Sequence, residues 1–112
     1  MKSILLSLVV LLTATSNVEN ETFPSEFYGV WQSIDNEFLR IQSNFNFETE
    51  FLRVKGREML ASGNLSSIGG RIHVIRRDID KEYTLSYTIF NNTMIVEKPD
   101  SHRVWVFTKV GN

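Results

Sequence analysis

The chain contains no cysteine, only two prolines and six glycines among 112 residues, and after residue 16 no long apolar run. Each scarcity closes a route. Without thiols there is no disulfide, no thiolate metal site and no lipid attached through a cysteine. Spanning a bilayer takes roughly 20 apolar residues in a row, and nothing past residue 16 comes close. Neither sign of charge is in excess, with 12 Lys+Arg against 13 Asp+Glu. Such a balance gives no general attraction to nucleic acid or to an anionic membrane. Helical periodicity is also missing after Phe27, so a bundle is not expected.

What the sequence does contain begins with a leader, MKSILLSLVVLLTATSN. Lys2 supplies the positive start, residues 4–12 are almost wholly apolar, and Ala14-Thr15-Ser16 places small residues before a cut at Asn17. That is the layout of a secretory signal peptide. Residues 1–16 are therefore expected to be removed, the product secreted or periplasmic, with no stable membrane insertion afterwards. Loss of Lys2 leaves 11 basic residues against 13 acidic ones. Residues 17–26, NVENETFPSE, read as a flexible lead-in, and 27–112 as one domain. A domain this small hides only about 60–65% of its unfolded surface. With no disulfide to help, its core must be continuous and aromatic-rich, and eight Phe, three Tyr and two Trp fit that need.

From Phe27 the chain is a series of short β-rich runs broken by turn residues at intervals of roughly 8–12. Strands are expected at 28–34, 38–43, 45–55, 58–66, 71–77, 83–90, 93–97 and 103–110. Leu39 and Ile41 share one face of the second. The third changes phase, with Phe45, Phe47 and Phe51 on one parity and Leu52 and Val54 on the other, which predicts a bulge near Phe51 or Leu52. Tyr83, Leu85, Tyr87 and Ile89 alternate with Thr84, Ser86 and Thr88. Asn91-Asn92 and KPDS spell two hairpin turns. The last strand has Val104, Val106 and Val110 on one face and Trp105 and Phe107 on the other. A two-faced strand left at a sheet edge invites aggregation. The expected fold is thus all-β, an up-and-down meander of about eight strands closing into a small barrel.

Gly29-Val30-Trp31 at the start of the first strand, followed by a meander ending in an aromatic strand, resembles the lipocalin-like, or calycin-type, small barrels over residues 27–110. The resemblance implies that Trp31 plugs the closed end and that a basic residue of the last strand covers it, Arg103 being nearest and Lys109 a substitute. A Thr-Asp-Tyr loop motif, a C-terminal helix and a disulfide are not found, and the chain is shorter than the ligand carriers of that family.

Residues with chemical potential are few. His73 and His102 are the only imidazoles, and no metal-ligand spacing joins them to carboxylates. No nucleophile elbow or phosphate loop occurs. Glu48 and Glu50, and Asp78 and Asp80, read as solvated pairs, and Arg53, Lys55 and Arg57 as a row on one side of a strand. No enzyme, metal or cofactor is expected. Asn20, Asn64 and Asn91 begin sequons that matter only in a eukaryotic secretory pathway. Tyr83 and Tyr87, with Leu39 and Ile41, either pack as plain core or line a pocket for a small hydrophobic ligand. The expectation is a non-enzymatic lipocalin-like binding module. The alternative is a small barrel, an inhibitor or envelope-associated factor, that binds a protein partner through its outer surface.

Overall fold

The computed structural model describes residues 22–112. The expected signal peptide, and all of the lead-in before Thr22, lie outside the described residues. A single 3-10 turn, Ser25–Phe27, leads into eight strands: β1 Gly29–Ser33, β2 Glu37–Ser43, β3 Thr49–Lys55, β4 Glu58–Ile68, β5 Arg71–Arg76, β6 Lys81–Phe90, β7 Thr93–Lys98 and β8 Arg103–Gly111. Every neighbour in sequence pairs antiparallel, and β1 pairs with β8, so the sheet is a closed barrel. At that seam Trp31 faces Lys109 and Ser33 faces Phe107, with an irregularity between Val30 and Trp31. The two-faced β8 therefore has a partner on each side, β7 and β1.

Side chains alternate between lumen and solvent. Trp31, Leu39, Ile41, Phe51, Ile72, Val74, Met94, Val96 and Phe107 form one buried cluster. The half-buried row Tyr83, Leu85, Tyr87 and Ile89 packs against it. Burying such a side chain is worth roughly 1.5–3 kcal/mol, which is how a chain without disulfides holds together. Turns are tight because short polar residues accept positive φ: Asn36, Asp80, Asn91, Asn92 and His102 all do.

Three local expectations are corrected. β3 starts at Thr49, not Phe45. Asn44 diverts the chain, because its Oδ1 accepts from the backbone N–H groups of Asn46 and Glu48 at 2.8 and 3.0 Å. Such local bonds compete with the sheet ladder. Second, β3 carries no extra residue at Phe51 or Leu52. Arg53 faces Ala61 and Val54 faces Met59, which places the surplus residue, Leu60, in β4. The apparent phase change is simply Leu52 and Val54 half-buried on the outer face. Third, β4 is the longest strand and runs through Ser67 and Ile68. Gly63 sits inside it because a Cβ there would meet the Ile75 carbonyl oxygen at 2.0 Å.

Candidate functional site

Antiparallel connections alternate between the barrel's two ends. The β2–β3, β4–β5 and β6–β7 turns lie at the end where β1 begins, and the other four turns at the opposite end.

The first end is closed. Phe23 stacks on Phe27 with ring centroids 4.2 Å apart, and Tyr87 meets Phe27 at 5.3 Å. Trp31 is fully buried, and its indole N–H donates to the Phe27 carbonyl at 3.1 Å. The basic residue over Trp31 is Lys109, not Arg103. Its ammonium lies 5.2 Å from the ring centroid and donates to the Glu26 carbonyl at 2.8 Å. Arg103 begins β8 at the far end and sits 5.2 Å from the Trp105 ring instead. The reason is the reach of the strand: five residues of β8 lie between the two positions. Gly29 makes the closure possible. Its φ is +137°, and a Cβ would meet Lys109 Cε at 2.7 Å and the Gly111 carbonyl oxygen at 2.6 Å.

Above this plug the lumen holds a cavity of about 70 Å³, lined by aliphatic and aromatic residues except for Arg53. Of the four candidate ligand residues, Leu39, Ile41 and Tyr83 line it. Tyr87 does not, since its ring is committed to Phe23 and Phe27. Tyr83 and Trp105 stand toward the open end.

The mouth is polar. Arg53 Nη2 and Nε both bond Glu37 Oε1, at 2.9 and 3.1 Å. Arg76 grips Asp78 through two bonds of 2.8 and 2.5 Å, with side chains only 15% and 13% exposed. Arg76 also donates to the Leu60 carbonyl at 3.3 Å, and the Ser62 N–H donates to Asp78 at the same distance. The hydrogen bond from Arg76 holds the Asp78 carboxyl well below the usual carboxylate range, and the same bond raises the guanidinium. Lys98 lies 5.1 Å from the Tyr83 ring. Neither Lys98 nor Arg103 pairs with a carboxylate among the described residues. Arg76 and Lys98 were legible, because each continues the inward parity of its strand, after Ile72 and Val74 and after Met94 and Val96.

Other sequence candidates disperse. Arg53 turns inward, Lys55 ends β3 and Arg57 occupies the following turn, so no basic row forms. Glu48 and Glu50 both accept from Asn44 Nδ2 at 3.0 Å. His73 pairs with Glu82 at 3.0 Å on the outer face, and His102 is exposed in a turn. Among the described residues no three His, Asp or Glu side chains gather as metal ligands. Comparison with protein-family models, with curated proteins and with solved structures found no match to the chain.

Proposed function

We propose that the protein is an exported, non-enzymatic, lipocalin-like module that binds a small hydrophobic ligand in its lumen. The observation that carries this reading is the apolar cavity between the plug and the mouth. A single water needs about 10–15 Å³, and an engineered cavity of about 150 Å³ takes benzene. At about 70 Å³ the space exceeds one or two waters but stays below an aromatic ring. The buried part of the ligand is then only a few carbon atoms wide, and the rest emerges past Trp105. Lys98 and Arg103 at the mouth favour a polar or anionic outer end. Of the carboxylates at that end, Glu37 and Asp78 are already neutralised by their arginines.

Native mass spectrometry of protein purified from its source, followed by solvent extraction, tests the reading. Recovery of an apolar molecule that Leu39→Trp excludes is the expected result. Failure of the wild type to retain any extractable molecule, and to bind a short-chain apolar probe, would sink it.

A second reading places function on the outside. Val104, Val106 and Val110 of β8 are each about half exposed on the outer wall, an apolar row on which a protein partner would make part of its contact. Cross-linking at Val106 in the native extract, with and without Val106→Lys, separates the two readings, because that substitution leaves the lumen untouched.

A further inference from the structure

The barrel's two ends differ sharply in charge. At the open end seven of the eight strand termini are charged residues, Ser33 being the exception. At the closed end only Arg71 is. The connections follow the same division. Those at the open end carry Asp35, Arg57, Arg77, Asp78, Asp80 and Asp100, whereas those at the closed end carry Glu48 alone. Apart from Glu26 on the 3-10 turn and Lys109 over the plug, which carry opposite signs, the closed end shows apolar tips. Phe45 is 100% and Phe47 91% exposed on the β2–β3 turn, with Phe90 and Ile68 half exposed beside the other two turns. Ile34 and Ile79 are exposed at the open end too, but among charges.

The Phe45–Phe47 turn is also held rigidly. Asn44 Oδ1 accepts from two backbone N–H groups, Asn44 Nδ2 donates to Glu48 and Glu50, and the Phe47 N–H donates to the Asn44 carbonyl at 3.0 Å. Phe47 is held at φ +61°, a region in which a bulky side chain is an outlier and Gly or Asn is at ease. Nothing within the fold requires an aromatic there, since its ring meets solvent. Strain kept at a position without a packing role points to an external contact.

We infer that the closed end seats on an electrically neutral phospholipid surface, with Phe45 and Phe47 entering the headgroup region. Size decides against a protein partner. Two phenylalanines offer at most about 300–500 Å², well short of the roughly 800 Å² per side of a stable protein interface. The other apolar tips belong to different turns, Ile68 to β4–β5 and Phe90 to β6–β7. A fluid interface accepts separate tips without needing a matching shape, and aromatic rings favour that layer. The scarcity of charge at this end fits zwitterionic rather than anionic lipid. The proposed seating is at the lipid surface, through the turn tips alone. The open mouth then faces away from the lipid. The inference does not depend on the lumen holding a ligand.

The test is co-sedimentation of the protein, purified after export so that its leader is processed as in the cell, with phosphatidylcholine vesicles, and with vesicles containing phosphatidylglycerol, at low and high salt. The N-terminal residues are common to all variants, so differences between variants report the turn. Wild type is expected to bind both vesicles with little salt dependence. The double variant F45S/F47N should bind at least about tenfold more weakly, with its thermal midpoint unchanged or raised. A control substitution on the outer wall, Val106→Ser, should leave binding unchanged. Equal binding by wild type and the double variant overturns the inference, as does binding confined to anionic vesicles and abolished by salt. So does a self-association in ultracentrifugation that the double variant loses while vesicles go unbound, since the occupant would then be a second copy.

Discussion

At the scale of single residues, the barrel turns on positions where one atom decides. Gly63 is the clearest, since backbone rather than a flexible side chain stands where its Cβ would be. Gly63→Ala should part β4 from β5 and cost at least about 3 kcal/mol, near the upper range for point substitutions; urea unfolding reads it directly. Asp78 makes a pH-dependent contribution of definite sign. Its carboxyl is held below its ordinary value by Arg76, so its contribution is complete above the unfolded value of about 4. It is lost as pH falls from about 5 toward the depressed folded value. Arg76 stays charged throughout and adds no slope. Wild type should therefore lose stability more steeply than Asp78→Asn between about pH 5 and 2. Parallel curves from denaturant titrations at several pH values would remove Asp78 from the account.

At the scale of elements, alternation was readable and turns were readable only in part. The row Tyr83, Leu85, Tyr87 and Ile89 and the turn Asn91-Asn92 fold as their spacing indicates. The stretch 45–48 does not, because two phenylalanines spaced like strand residues were outweighed by one asparagine side chain that closes a turn. Periodicity registers hydrophobicity and is blind to such a local bond. The same blindness hid the surplus residue in β4: Leu60 declares itself only through the partners of Arg53 and Val54. Asn44→Ala should loosen the β2–β3 turn and cost about 1–2 kcal/mol, the worth of its lost backbone bonds. Faster amide exchange at Asn46 and Glu48, with β6 and β7 unchanged, is the local signature to look for. At the candidate site, Leu39, Ile41 and Tyr83 were identifiable from parity, but the commitment of Tyr87 to the plug needed Phe23, a residue of the lead-in. The exchange of Arg103 for Lys109 was legible, because in a closed meander of eight strands the end of β8, not its start, lies beside the start of β1.

At the scale of the whole molecule, closure is the property from which the others follow. A meander with β1 and β8 unpaired would show two fast-exchanging strands at its margins. In the closed barrel the amides of Trp31 and Lys109 should instead be protected about as strongly as those in the middle of β4 and β5. Hydrogen exchange followed by mass spectrometry distinguishes the two, and selective loss of protection in β1 and β8 would contradict the barrel.

The seam where β1 meets β8 joins strands that stand first and last in the chain, and with β3–β4 it is one of two pairings that carry a register irregularity. Unzipping it would free two raw margins at once, each able to recruit a neighbouring molecule and template a fibre. Lys109, Trp31 and the Glu26 carbonyl fasten that seam from inside. The clasp that stoppers the barrel thus also opposes the opening of its only chain-end seam.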